Sequence, residues 1–267
     1  MRFAHIIAGA ARYELAMQLR RRALWIGFLL LGALLTAAFD SVLRSPNLPG
    51  SSRATSVVSW AVTCNFLLTL GAGLLLADRY RRDRKTRVFE LLRTAPAPDW
   101  ARLFGKYVGA VSATLLPILI IYLAGVARLV LLWRDATLLP LAASAFVALI
   151  VPPVFFAGAF SLACTTVLWQ PLYMFLFVGY WLWTSLNPTG LAIPTLTSTL
   201  LAPGEQLVVT GYFGLAAPYP QDVGFYPHSS AALATLNIVV LLACAACALL
   251  SGLLIHRSLA EREGVAG

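Results

Sequence analysis

The chain has 267 residues, of which 60% are hydrophobic and only 12% charged, and its mean hydropathy is +0.80. A soluble domain carries about a quarter charged residues, so a water-soluble globule is excluded and an all-α, polytopic membrane protein is expected. The formal net charge of +9 would suggest nucleic acid in a soluble chain, but here the cations flank apolar runs and no nucleic-acid partner is read from them.

Residues 1–22, MRFAHIIAGAARYELAMQLRRR, place Ile7, Ala11, Leu15 and Leu19 on one stripe, with Arg12 and the Arg20–Arg22 cluster elsewhere. That pattern predicts an amphipathic interfacial helix along the inner leaflet, or a simple basic anchor. Six apolar runs follow, near 23–39, 57–77, 107–127, 138–163, 167–186 and 231–255. About 20 helical residues cover a hydrocarbon core of roughly 30 Å, so the six runs are expected to be six transmembrane helices. The first and fifth are short, and the fourth is long and contains Pro152-Pro153. Thr36-Ala37-Ala38 loosely fits a signal-peptide cleavage site, but the patterned helix ahead of the first run is unlike a short basic leader.

Orientation is read from Lys and Arg. With both termini in the cytoplasm, inner segments hold 16 of the 20 cations: five in residues 1–22, nine in 78–106, and Arg257 and Arg262 in the tail. The outer side keeps Arg44, Arg53, Arg128 and Arg134, while the 44 residues from Asn187 to Ser230 have none. This is the positive-inside distribution. Arg128 falls at the outer interface, where it can snorkel beside Trp133 and Arg134.

Between the second and third runs lies a basic elbow with nine cations against Asp78, Asp83, Glu90 and Asp99, a net of +5. Residues 79–93 carry a helical stripe of Val88, Leu91 and Leu92. Pro96 and Pro98 break it, and Asp99 is placed to N-cap a new helix starting at Trp100. Attraction of about 1 kcal/mol per basic residue to anionic membrane lipid explains the charge, but not the broken, capped shape or the embedded Glu90.

Past the fifth run, Pro188, Pro194, Pro203, Pro218, Pro220 and Pro227 interrupt an apolar middle, LTSTLLAPGEQLVVTGYFGLAA, that is too short and too broken to span. Little catalytic chemistry is visible. There is no Gly-x-x-x-x-Gly-Lys-[Ser/Thr] phosphate loop. His5, His228 and His256 are separated by topology, so neither a metal nor a cofactor site is expected. Cys64, Cys164, Cys244 and Cys247 read as small buried hydrophobes rather than a redox pair. Polar groups inside the runs are neutral, leaving no proton relay. Asn65 and Thr69, with Ser59 and Thr63, could line a translocation path or serve as helix–helix glue. The aromatics of the fifth run, Tyr173, Phe175, Phe177, Tyr180, Trp181 and Trp183, surround a helix on all sides, so some must face lipid or another subunit.

The stretch from Glu90 to Ala110, ELLRTAPAPDWARLFGKYVGA, resembles the signature of the ABC-2 type (type V) exporter permeases. The matching features are an acidic residue (Glu90), Leu91-Leu92, Thr94-Ala95-Pro96, and Gly105-Lys106 leading into the third span. The six-span layout, the basic N-terminal helix and the long outer segment are similar as well. The resemblance implies a permease subunit, itself not an enzyme, that dimerises with an identical or sister permease. A separate ABC ATPase subunit would bind ATP and Mg. The elbow, over about 78–106, would be the coupling helix, with Glu90, Leu91, Leu92, Pro96 and Trp100 on the ATPase surface and Gly105 and Lys106 setting a hinge at the membrane interface. Residues 187–230 would form short re-entrant helices capping the outer exit, with Pro203-Gly204 as a turn between two of them. A path of neutral polar and aromatic groups, Asn65, Thr69, Tyr173, Tyr180 and Trp183, suits export of an amphiphilic or hydrophobic compound. Alanine- and arginine-rich usage hints at a high-GC bacterium and its plasma membrane. The rival reading is a non-transporting membrane scaffold whose basic loop grips lipid or another partner.

Overall fold

The computed structural model describes residues 2–43, 53–77, 98–185, 196–197, 199–203, 206–215 and 230–265. Among them every regular element is helical. In chain order these are α1 (Arg2–Leu19), α2 (Arg22–Leu43), α3 (Arg53–Cys64), a π-helical turn π1 (Asn65–Thr69) and α4 (Leu70–Ala77). After the elbow come α5 (Asp99–Trp133), α6 (Leu138–Ala145), a second π turn π2 (Phe146–Ile150), α7 (Val151–Cys164), α8 (Gln170–Ser185), α9 (Gln206–Phe213) and α10 (Ala231–Val265).

Among the described residues five helices are long and apolar enough to cross a membrane: Arg22–Phe39, Arg53–Ala77, Trp100–Trp133, Leu138–Cys164 and Ala231–Ile255. This fits a multi-pass membrane protein. The fifth expected span, near 167–186, is not among them. It folds as α8, whose 16 residues extend about 24 Å, short of a hydrocarbon core of about 30 Å.

The third run differs most from its sequence reading. Rather than a helix capped by Asp99, α5 begins at Asp99 itself, with Pro98 in the cap position (φ −66°, ψ 139°) and no side-chain capping bond. It then continues unbroken for 35 residues, about 52 Å, past the expected end at Ala127. It stops where Arg134 turns left-handed at φ 50°. The fourth run passes its proline pair without breaking. Pro152 and Pro153 occupy the first turn of α7, directly after π2. A proline lacks the amide and crowds the carbonyl four residues back, and the widened π turn supplies the room.

Because lipid tails are as apolar as leucine, burial alone does little to hold helices together in a bilayer, and close packing with side-chain hydrogen bonds must do it. Trp60 illustrates both. A Cβ on Gly125 would overlap its ring, so only glycine lets the indole reach the α5 backbone. Its Nε1 then donates to Tyr122 O at 3.0 Å, and the Tyr122 hydroxyl donates to Ala142 O at 2.8 Å. One chain of contacts thus ties α3, α5 and α6. Gly71 under Leu31 and Gly73 under Phe177 admit α2 and α8 to α4 in the same way. At one end of the bundle Arg53 donates to Asp135 at 2.8 Å, joining the start of α3 to the α5–α6 turn. Cys64 is buried, whereas Cys247 is exposed on α10, unlike the buried position expected for all four cysteines.

Candidate functional site

At the end of the bundle opposite Arg53, α1 packs along the beginning of α5, and the two helices run in the same sense. Phe3 meets Trp100 with ring centroids 5.7 Å apart. A Cβ on Gly105 would lie 2.7 Å from both Ala10 Cβ and Ile7 O, and one on Gly109 would lie against Ala11 O and 2.7 Å from Glu14 Cβ. The Gly105-x-x-x-Gly109 spacing therefore brings the two backbones together, as small residues do in membrane helix pairs. Helix α5 runs through Gly105 without a break, and the glycine lies where the two helix backbones approach each other. Lys106 is half-buried, one residue on. Glu14, 4% exposed, and Gln18, 3% exposed, face into this contact, with Gln18 Nε2 donating to Glu14 Oε1 at 2.9 Å. Trp100 is 41% exposed. With Ile7, Leu103 and Phe104 it walls an apolar groove of about 250 Å³ closed across by Leu249 and Leu253 of α10.

Of the seven expected coupling residues, Trp100, Gly105 and Lys106 are thus placed at the foot of α5. Glu90, Leu91, Leu92 and Pro96 lie outside the described residues, as does the remainder of the elbow over 78–97.

The second site lies midway along the bundle. Asn65 is the middle residue of the 25-residue stretch Arg53–Ala77, about 18 Å along the helix from either end. Residues 199–203, which follow no helical ladder, reach that depth. They are folded by their own turns, with Thr199 N donating to Leu196 O at 3.0 Å and Ala202 N to Thr199 O at 3.1 Å. Their outward carbonyls are then taken in sequence by three helices. Asn237 Nδ2 of α10 donates to Leu200 O and to Ala202 O, both at 2.9 Å. The Tyr180 hydroxyl of α8 donates to Leu201 O at 2.6 Å. Asn65 Nδ2 of π1 donates to Pro203 O at 2.9 Å. Four consecutive carbonyls are held by three side chains, which is the compensation irregular backbone needs inside an apolar bundle.

The amide of Asn65 is oriented by Thr69, whose hydroxyl donates to Asn65 Oδ1 at 3.1 Å. Asn237 Oδ1, by contrast, is buried without a hydrogen-bond partner. Beyond the clasp, α9 buries Gln206, Leu207, Val208 and Val209, and Gly211 lets it touch α10 at Ser230 and Ala234. It ends at Gly214 with φ +60°, whose amide returns to Thr210 O at 3.2 Å. It lies within residues 187–230, where the resemblance implies short re-entrant helices; Gly204, expected with Pro203 to form a turn, lies outside the described residues.

Helix α8 is two-faced. Tyr173, Phe177 and Trp181, at four-residue intervals, are buried against α4 and α7. A π turn leaves a carbonyl outside the regular ladder, and Trp181 Nε1 donates to Phe66 O within π1 at 2.9 Å. The hydroxyls of Tyr173 and Ser161 are 2.8 Å apart, and Ser161 donates to Gly73 O at 2.8 Å or Ala157 O at 2.7 Å. The other face leaves Phe175 78% and Trp183 53% exposed. Of the residues expected along a path, Asn65, Thr69 and Tyr173 are therefore buried with their polar groups spent inside the chain, Tyr180 holds Leu201, and Trp183 faces outward.

An ion pair between described residues, Arg53 with Asp135, lies at the Arg53 end. There the Thr137 hydroxyl and amide and the Arg53 guanidinium hold the Asp135 carboxyl below its usual range. Among the described residues no three His, Cys, Asp or Glu side chains converge as a metal site would require. What the arrangement offers chemically is a set of neutral donors that fix backbone, together with a long helix whose first turns expose Trp100 and Phe104. Compared with protein-family models and with curated proteins, the chain matches none. Glu14, Gln18 and Ser161 are site neighbours that the sequence reading passes over. Only the Gly105–Gly109 spacing could have pointed to the α1 contact.

Proposed function

We propose that the chain is the membrane subunit of an ATP-driven ABC exporter, with six transmembrane segments, α8 counted as the fifth, and both termini in the cytoplasm of a bacterial plasma membrane. The observation that carries this reading is the Glu90–Ala110 signature combined with the form of α5. A helix of 35 residues, Asp99–Trp133 with Pro117 in its interior, begins within the elbow and runs on into the bundle, braced at its foot by α1. A push on the elbow by a nucleotide-driven ATPase would be passed along such a helix, where a flexible loop would absorb it. Two permease chains, identical or sister, enclose the path. Trp183 faces it, while Asn65, Thr69, Tyr173 and Tyr180 shape it from behind by fixing residues 199–203 and α8. Neutral polar and aromatic groups suit an amphiphilic or hydrophobic cargo.

The test is co-purification and coupled ATPase activity with the subunit encoded beside this chain. Wild type should bring down the ATPase and stimulate it. Glu90→Ala and Leu91→Ala/Leu92→Ala should abolish the stimulation at normal expression. A chain that never retains an ATPase, or elbow variants that couple as well as wild type, would leave the scaffold reading in its place.

A further inference from the structure

We propose that Asn65, Tyr180 and Asn237 form a latch, and that residues 199–203 leave the bundle as one unit while the surrounding helices stay folded. The inference goes beyond the transport reading, since it concerns a movement of the chain alone. Three observations carry it. First, the segment closes a turn of its own, Ala202 N to Thr199 O at 3.1 Å, and Thr199 N is held from the preceding side by Leu196 O, so part of its shape is set without the surrounding helices. Second, its polar attachment to the bundle is concentrated in four side-chain bonds to four successive carbonyls, from helices distant in sequence. Carbonyls freed from these bonds can be repaid by water wherever the segment emerges, whereas helix carbonyls in the ladder have no such exchange. Third, the closed arrangement is not fully satisfied: Asn237 Oδ1 is buried without a partner, a cost that release and hydration remove.

The three donors are not equivalent. Asn65 is braced by Thr69, and its neighbour Phe66 is bound through its carbonyl by Trp181, so both fixed points lie on π1. Asn237 carries two carbonyls and the unpaired oxygen, which makes it the pivot of the latch. Tyr180 spends a single hydroxyl on Leu201 and is the mildest to remove.

Hydrogen exchange read by mass spectrometry on the purified full-length chain in detergent tests the latch. Neither an ATPase nor a substrate is needed, so failure here and failure of the exporter reading are separate results. In wild type the peptide covering Thr199–Pro203 should be protected. Tyr180→Phe should speed its exchange about 2- to 10-fold, the effect of one hydrogen bond. Asn237→Ala, losing two, should speed it more, by about 5- to 100-fold. Asn65→Ala should resemble Tyr180→Phe or exceed it, while peptides from α2 and α6 keep their wild-type rates. The proposal is overturned if the segment is unprotected in wild type, if the variants leave its rate unchanged, or if exchange rises equally throughout the bundle. Should Asn237→Ala aggregate on size exclusion, Tyr180→Phe, which deletes one oxygen, decides alone.

Discussion

The contact between α1 and α5 makes the sharpest quantitative prediction. In Gly109→Ala the new methyl would lie against Ala11 O, 2.7 Å from Glu14 Cβ and 3.0 Å from Ala11 Cα. Carbon atoms at ease stand about 3.5–4.0 Å apart, and the obstructing atoms are mostly backbone, which no rotamer change can move. Helix α1 must therefore withdraw by about 1 Å over a turn or more. Overpacking of this kind costs about 1–3 kcal/mol, and alanine's better helix propensity returns at most about 1 kcal/mol. A net loss of about 1–2 kcal/mol is expected, lowering Tm by roughly 2–8 °C at about 2–4 °C per kcal/mol. Once α1 has moved, Gly105→Ala meets a contact already opened, so the double variant should lose clearly less than the sum of the single losses. Gly9→Ala is the control, because nothing lies within 4 Å of its Cβ position. There the propensity gain of up to about 1 kcal/mol should appear alone. The assay is thermal unfolding of the purified chain in detergent, paired with tryptic cleavage at the exposed Arg12, which should quicken in Gly109→Ala. If Gly109→Ala melts within about 1 °C of wild type with unchanged cleavage, or Gly9→Ala proves the more damaging, the packing argument is wrong.

Two further predictions concern the rest of the bundle. Trp181→Phe keeps most of the ring but removes the donor to Phe66 O, so it should cost about 0.6–1.7 kcal/mol, the range for polar contacts between membrane helices; an unchanged melting temperature would show that π1 does not need this bond. At the Arg53 end, the folded chain holds Asp135 below its ordinary pKa through Thr137 and Arg53. The unfolded chain takes up its proton near about pH 3.9, before the folded chain does. The stabilisation is therefore complete above that pH and is lost as pH falls through the lowered folded pKa. Asp135→Asn should remove this pH dependence, so a wild-type minus variant Tm difference that shrinks on acidification supports the pair, and one that stays constant refutes it.

How far the sequence could be read follows from what each element depends on. The centres of the five long helices are legible because hydrocarbon thickness sets their length, and apolar runs report it directly. Helix ends are not. Helix α5 starts beside the expected Trp100 but runs on past Ala127 to Trp133, and at its foot α1 packs on it through Gly105 and Gly109, a contact between residues nearly a hundred apart. Helix α8 is a shorter case, since its sequence is apolar beyond the residues that pack on α4. The partners of the neutral polar residues were equally hidden. Asn65 bonds a carbonyl 138 positions away, and no periodicity reveals a bond between a helix side chain and irregular backbone. The elbow is legible as a pattern, and Glu90, Leu91, Leu92 and Pro96, outside the described residues, rest on that pattern alone.

These contrasts bear on where such a bundle can place specificity. Among apolar side chains in lipid, one helix face differs little from another, so leucine and valine contacts set closeness rather than identity. Directional preference has to come from backbone carbonyls, which are strong acceptors wherever a helix is widened, as at Phe66, or absent, as over 200–203. The polar and indole groups engaged there, Asn65, Tyr180, Trp181 and Asn237, are neutral, so they avoid the cost of a buried charge. Each bond is also weak enough to break singly. A chain assembled this way can hold one segment firmly at mid-depth and still release it, something an ion pair buried at the same depth would resist, because separating it strands two charges.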